Sequence, residues 1–391
     1  MTLSALWLAI AVSALIAWLW LLFGNAGFWR IERPAPAAKP QEWPEVVVVI
    51  PARDEGQGIA ETLRSLWGQD YAREVRIVLV DDHSEDATVE RAVALAESLG
   101  RRGALTVLAA RSLPPGWTGK VWAMSEGISH GVPAGDPARY VLFSDADVRH
   151  GSSAVRDLVA RAESGGLDLA SLMVTLQCRT VAERLTIPAF VFFFRMLYPF
   201  RRANDRSDSL AAAAGGTMLL RRSALDRIGG LAAIRGELID DCALARAVKR
   251  GGHRIWLGLG AASVSTRGYG RLRDIVHMVA RTAYTQLGYS PARLAGCVAG
   301  LCLVYLAPPL LLFARGPSAA VGAVAWLLMA IAYAPMVRFY RQPLFFAPLL
   351  PLTATMYLYA TCLSAWRHHC GRGGQWKGRS QDSTARSGGR G

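Results

Sequence analysis

Two kinds of apolar pattern divide the chain. Four long stretches carry no charge at all: residues 3–23 (LSALWLAIAVSALIAWLWLLF) and roughly 294–313, 318–337 and 344–366. Coiled as helices, such stretches reach about 30 Å, enough to cross the hydrocarbon layer of a bilayer. The first lacks a basic leader and is longer than the core of a signal peptide, so residues 1–24 read as a retained anchor. Pro348 and Pro351 interrupt the last stretch, which leaves a spanning and a re-entrant segment both open. Between the first and second stretches the composition is that of an ordinary globular protein. A linker over 25–44, Pro-rich from Ile31 on (IERPAPAAKPQEWP), leads into it.

Within the globular part the period changes. EVVVVIPARDEG opens with a run of β-branched residues, then a proline and a polar turn, which predicts a strand buried on both faces. GIAETLRSLWGQD follows with Ile59, Leu63 and Leu66 at helical spacing. VRIVLVDDHSEDAT predicts a second buried strand, SEDATVERAVALAESLG a helix closed by Gly100, ALTVLAA a third strand and YVLFSDAD a later one. Strands alternating with helices imply a doubly wound α/β domain, whose ligands bind beyond the carboxyl ends of the strands.

That rule gives weight to the acids. Asp54 with Glu55, Asp81 with Asp82, and Asp145 with Asp147 each follow a predicted strand. Asp145 and Asp147 stand two apart, so on a strand they project from one face, where like charges repel unless a cation or donors intervene. One reading is a Mg²⁺ or Mn²⁺ site, which takes one or two carboxylates plus substrate phosphates. The plain alternative is a strand-end turn, where aspartate is common. Lys120, in the loop SLPPGWTGKVWAMSEG, is either a solvated lysine or a point charge for a diphosphate. Asp240 and Asp241, before a short helix ending at Gly251, are either capping residues or a general base with its neighbour. No GxxxxGK[ST] or GxGxxG loop is present, which excludes the P-loop and dinucleotide folds.

Composition then places the domain. The chain has 44 basic and 30 acidic residues, a net charge of +14. The arginines are dispersed and no nucleic-acid-binding signature appears, so no nucleic-acid partner is expected; a domain lying against an anionic leaflet accounts for the charge. Arg30, Arg33 and Lys39 follow the first stretch and predict a cytosolic domain on an integral, multi-pass inner-membrane protein. If every stretch spans, the basic tail (367–391) falls outside and breaks that rule. The six cysteines show no paired spacing, as suits a reducing cytosol. His368, His369 and Cys370 read as part of a basic, Gly-rich tail rather than as metal ligands. Two apolar segments, 185–200 (interrupted by Pro188 and Arg195) and 271–287, read as interfacial, with a buried core helix as the alternative for the first.

Taken together, IPARDE (50–55), VDDHSED (80–86), GKVWAMSEG (119–127), SDAD (144–147), GGTMLLRRSALDRIGG (215–230) and IDDCALARAVKRGG (239–252) resemble, in order and spacing, the family-2 inverting glycosyltransferases of GT-A fold. The layout is similar to the hopene-associated glycosyltransferases and, more distantly, to ceramide glucosyltransferases. The resemblance implies a GT-A, Rossmann-like nucleotide-sugar-binding domain over 45–290, with C-terminal spans over 291–366. It implies Pro51, Asp54, Glu55, Asp82, Lys120, Asp145, Gly216, Asp240 and Arg281 as substrate-binding residues, with Asp82 the partner of a uracil ring. Asp147 and Asp145 would hold the divalent cation, and Asp241 would be the catalytic base. Departures stand beside the matches: Ala123, Met124 and Ser125 replace an alanine-leucine-asparagine run, Asp240 replaces a glutamate, and no Q-x-x-R-W motif is present, with Arg281 the nearest candidate for its arginine. The expected activity is transfer of one sugar from a nucleotide-diphosphate sugar to a membrane lipid, in hopanoid or related lipid biosynthesis. Two alternatives stay open: a membrane-bound nucleotidyltransferase, and a membrane scaffold with a degenerate nucleotide fold.

Overall fold

The computed structural model describes residues 3–371 apart from 33, 133 and 134, together with 375–376 and 379–380. Arg33 and most of the basic tail lie outside the described residues. The chain forms two compact units, one from Met1–Glu32, Cys178–Arg202 and Tyr269–Gly374, the other from Arg33–Gln177, Ala203–Gly268 and Gln375–Gly391.

The second unit is built on an eight-stranded sheet: β1 (Val46–Ala52), β2 (Arg76–Asp81), β3 (Leu105–Ala109), β4 (Tyr140–Ser144), β5 (Val148–Arg149), β6 (Leu169–Thr175), β7 (Thr217–Arg221) and β8 (Ile255–Ser265). Their order is β3-β2-β1-β4-β7-β6-β8-β5. All seven residues of β1 are buried, because alternate side chains enter two different cores. Val47 and Val49, with Val78, Val80, Val141 and Phe143, pack beneath helices Gly119–Gly131 and Asp240–Arg250. Val46, Val48 and Ile50, with Ile77, Leu79 and Leu142, pack against helices Ile59–Trp67, Thr88–Ser98 and Ala154–Gly165. A helix layer on each face is why the strands read as unbroken apolar runs.

The sheet is parallel from β3 through β4, reverses at β7, and is parallel again between β6 and β8. Thr217 pairs with Ser144, so β7 starts at the edge where β4 ends and must run back antiparallel to it. The doubly wound sheet expected from the sequence is therefore a mixed α/β sheet. β1, β2 and β4 end at one edge, and the start of β7 brings Gly215 and Gly216 to that edge.

The other unit is helical. Among the described residues, four helical runs are long and apolar enough to cross a membrane: Leu3–Phe23, Pro291–Phe313, Pro317–Phe339 and Leu344–His369. The last is continuous: Pro348 lies in a 3₁₀ turn and Pro351 in the first α-turn, where a missing N–H is tolerated. The second run contains a π-turn, Cys302–Leu306, just before Pro308 and Pro309. Neither proline has an N–H, so the Val304 carbonyl has no donor one turn on, a costly state in hydrocarbon. The Trp18 indole of the first run donates to it at 2.8 Å, and the Trp18 ring meets Tyr305 edge-on at 5.5 Å.

Helix Val181–Leu197 begins at a capping box of Thr180 and Glu183 and passes through Pro188 without ending. It buries Ile187, Val191 and Phe192; helix Leu272–Ala280 buries Ile275, Val276 and Val279. Both pack on the Leu350–His369 helix, so their apolar faces are covered within this unit.

Candidate active site

The acids of the sheet edge are joined through one lysine. Lys120, in the first turn of helix Gly119–Gly131, places Nζ 2.8 Å from Asp145 Oδ1 and 3.4 Å from Asp240 Oδ2. Burial alone would push its proton off, but Asp145, Asp240 and Asp241 outweigh burial and the ammonium is held well above its ordinary pKa. Asp241 is the next link. Its Oδ2 accepts from the Gly215 N–H at 2.9 Å and its Oδ1 from the Cys242 N–H at 2.7 Å. A Cβ on Gly215 would lie 3.2 Å from Lys120 Nζ and 3.4 Å from Asp241 Oδ2, so only glycine leaves these groups their full room. Burial, and after it the neighbouring Asp240 charge, raise the Asp241 carboxyl to about 6, against a lowering pull from Lys120. Asp240 and Asp241 lie inside the first turn of helix Asp240–Arg250, and Ile239 occupies the cap, so neither aspartate is the capping residue.

On the other side of Lys120 lies the Asp145–Asp147 turn. Asp147 is raised to about 6 by burial and then by Asp145, while Arg267 lowers it. Arg267, just beyond β8, places Nε 3.1 Å from Asp147 Oδ2 and Nη2 2.6 Å from Glu55 Oε1. Ser265 Oγ adds a long contact to Asp147 at 3.5 Å. Each carboxylate of the pair is thus neutralised by a side-chain cation of the chain itself. Two hard oxygen donors two positions apart, balanced by an ammonium and a guanidinium group, fit a divalent ion that completes its shell with water and phosphate. Among the described residues no cluster of three or more His, Cys, Asp or Glu side chains is arranged to hold a metal.

The remaining acids do different work. Asp82 is 1% exposed; its N–H donates to the Ala52 carbonyl at 2.8 Å and its own carbonyl accepts from Arg53 Nη1 at 2.7 Å. The same guanidinium nitrogen is 3.6 Å from the Asp82 carboxylate. His83, next in the chain, has φ of 57°, unusual for a residue with a Cβ. With Ala110, Arg111, Ser112, Pro114 and Trp122 it lines an open cleft of about 660 Å³. Glu126 fixes one wall by taking a two-pronged bond from Arg111 at 2.8 and 2.9 Å, and Trp122 Nε1 donates to the Arg111 carbonyl at 2.9 Å. Asp54, also left-handed at φ of 50°, accepts from the Glu85 N–H at 2.8 Å and donates its own N–H to Ser84 Oγ at 3.0 Å. It clips the loops after β1 and β2 together. Pro51 is buried in β1 beside Val80. The Gly216 carbonyl accepts from the Asp145 N–H at 3.3 Å, tying β7 to the aspartate turn.

The structure therefore gathers Glu55, Lys120, Asp145, Asp147, Gly216, Asp240 and Asp241 into one connected network. Arg281 belongs to the helical unit, exposed at the C-terminal cap of helix Leu272–Ala280. Arg53, His83 and Trp122 lie within the motifs IPARDE, VDDHSED and GKVWAMSEG but were not singled out there, and Arg111 and Arg267 lie in loops with nothing in their spacing to mark them.

A mixed sheet sandwiched by helices, with a D-x-D turn and a helix-start aspartate meeting at one edge, is the architecture of the GT-A glycosyltransferases. The family model of glycosyl transferase family 21 matches residues 5–383, and the chain belongs to that family. The number is 21 where resemblance of motifs gave 2; the GT-A fold and the enzyme class stand. No curated protein matches the chain. Among solved structures, the mannosyltransferase PcManGT from Pyrobaculum calidifontis, in complex with GDP-Man and Mn²⁺, is 19% identical, with a TM-score of 0.55 over 95% of this chain and 100% of that one. Glucosyl-3-phosphoglycerate synthase from Mycobacterium tuberculosis, with Mn²⁺, UDP-glucose and phosphoglyceric acid, is also 19% identical, covering 63% of this chain and 79% of its own at a TM-score of 0.42. The first of these likenesses supports the fold.

Proposed function

We propose that this family-21 enzyme transfers one sugar, with inversion, from a nucleotide-diphosphate sugar to the hydroxyl of a membrane lipid. The observation that carries the reading is Lys120 held between Asp145 and Asp240, beside Asp241, so that a leaving-group side and a base side meet at one cation. Asp145 and Asp147 would hold Mg²⁺ or Mn²⁺, which when bound offsets charge on the departing diphosphate as a Lewis acid. Lys120 adds a fixed positive charge there. Asp241 accepts the proton of the acceptor hydroxyl as the new oxygen–carbon bond forms and the bond from the anomeric carbon to the diphosphate breaks. One displacement with one base inverts the anomeric centre. The Gly215 and Cys242 N–H groups hold that base in place.

The nucleoside is assigned to the edge beside Asp82 and the His83–Trp122 cleft, with a UDP-sugar as the first donor to test. The four apolar helices support an integral membrane protein and a lipid acceptor, and the charges after the first helix support a catalytic unit facing the cytosol. Resemblance to the hopene-associated enzymes makes a hopanoid-related lipid the first acceptor to test. The test uses membranes containing the protein, a panel of labelled nucleotide sugars and a native lipid extract. Label from one donor should enter the organic phase and be abolished by EDTA. Nucleotide binding without any transfer would rule out the lipid acceptor, and release of pyrophosphate would point to a nucleotidyltransferase.

A further inference from the structure

The Asp145–Asp147 turn is gripped by its backbone. Each of its three carbonyl oxygens accepts from a side-chain hydroxyl: Asp145 from Ser144 Oγ at 3.0 Å, Ala146 from Thr62 Oγ1 at 2.7 Å, and Asp147 from Thr266 Oγ1 at 3.0 Å. The Thr266 N–H also donates to the Asp147 carbonyl, at 2.6 Å. Thr62 is fully buried in helix Ile59–Trp67, and Thr266 follows β8, so two distant segments close on one turn. The fit is close: a Cβ on Gly58, at the start of that helix, would stand 3.1 Å from Thr266 Oγ1 and 3.6 Å from the Ala146 oxygen.

Behind Ser144 stands a histidine that the proposed reaction does not use. His150 is 3% exposed, and its Nε2 lies 2.8 Å from Ser144 Oγ. A hydroxyl has one proton to give, and Ser144 gives it to the Asp145 carbonyl. His150 must then donate from Nε2–H, which leaves Nδ1 as the bare acceptor. Nδ1 is buried with no hydrogen-bond partner among the described residues. Burial drops the imidazole to about 4, with Asp145 pulling weakly the other way, so the ring stays neutral near pH 7. The His150 N–H donates to Ser65 Oγ at 3.0 Å, and Ser65 Oγ donates to the Thr62 carbonyl at 2.8 Å, closing the frame.

Two carboxylates this close repel, and a turn held only by its side chains would splay when their counter-cations leave. Fixing the carbonyls with neutral hydroxyls holds the carboxylates together without spending their charge. We infer that Ser144, His150, Thr62 and Thr266 are positioning residues that set the spacing of Asp145 and Asp147, so that the cation affinity of the turn is built by neutral groups that never touch the ion. The inference rests on the reading of this turn as the cation seat. Outer-shell hydrogen bonds of this kind are worth about 10- to 100-fold in metal affinity.

The test is a Mn²⁺ titration of the full-length protein in detergent, with and without UDP, following the electron paramagnetic resonance signal of free Mn²⁺. Thermal unfolding of each variant is recorded alongside. Ser144→Ala and His150→Leu should each weaken Mn²⁺ binding about tenfold, and the double variant should be no worse than Ser144→Ala alone, because His150 acts through Ser144. His150→Gln, which keeps an N–H donor near the Nε2 position, should recover most of the loss; a merely space-filling histidine would not be rescued in this way. Thr62→Val, of the same shape, gives an independent reading if either other variant unfolds. Folded variants with unchanged Mn²⁺ affinity would overturn the inference while leaving the cation seat intact. A wild-type protein that binds no Mn²⁺ in either condition would overturn the cation seat itself.

Discussion

Two pairs of aspartates share one edge of the sheet and one lysine, yet their surroundings make them different reagents. Asp145 and Asp147 are two positions apart on a turn, and each faces a cation of the chain, Lys120 or Arg267. Asp240 and Asp241 are adjacent at the start of a helix. Only Asp240 takes an ion pair there, while Asp241 is held by two backbone N–H groups. The first pair offers two carboxylates on one turn to an ion, and the second offers one buried carboxylate held by the backbone. The difference comes from neighbours rather than residue type: burial raises both Asp147 and Asp241 to about 6, but Asp147 faces a guanidinium while Asp241 accepts from two backbone N–H groups.

The largest effect expected from breaking that division is at Asp241. Asp241→Asn should lower kcat by about 10²- to 10⁴-fold, the usual worth of a general base, with Mn²⁺ and donor binding retained. Comparable Mn²⁺ loss in this variant would mean that the two pairs are not separate devices. Asp147→Asn should show the converse: Mn²⁺ affinity falls by more than about tenfold in the same titration, and activity falls with it.

Lys120 tests the coupling between the pairs. The base works when deprotonated, so kcat/KM should rise with pH through about 6, the value to which burial and Asp240 raise Asp241. Lys120 lowers that value, so in Lys120→Met the acid limb should move to higher pH as well as losing rate. Asp240 raises it, so in Asp240→Asn, the mildest of these changes, the limb should move to lower pH. A pH–rate profile of each variant checks both signs, and two shifts in the same direction would contradict the arrangement.

Much of this division was legible in the sequence, and for a physical reason. β1, β2 and β4 are parallel strands buried on both faces, so each is an unbroken apolar run, and the acids after each run mark the carboxyl edge of the sheet. β6, β7 and β8 lie beyond β4, with β7 antiparallel to both of its neighbours and β6 parallel to β8, and were not read. β7 is only TMLLR, and β8, IWLGLGAASVS, interrupts its apolar pattern with glycine and serine. Within the site, Asp145, Asp147 and Asp241 follow from their position at strand and helix ends. Arg267 does not, since it meets Glu55 across 212 residues of chain and only the folded sheet brings them together. The hydroxyl frame around the aspartate turn is equally silent: serine, threonine and one histidine, each ordinary where it stands.

The most direct test of the account is the stereochemistry of a single turnover. With the active donor identified, the anomeric configuration of the newly formed glycolipid, read by proton NMR coupling at the anomeric carbon, is compared with that of the donor. Direct displacement assisted by Asp241 predicts the inverted anomer. A product that retains the donor's configuration would contradict it, and the single-base reading of this site would have to be abandoned.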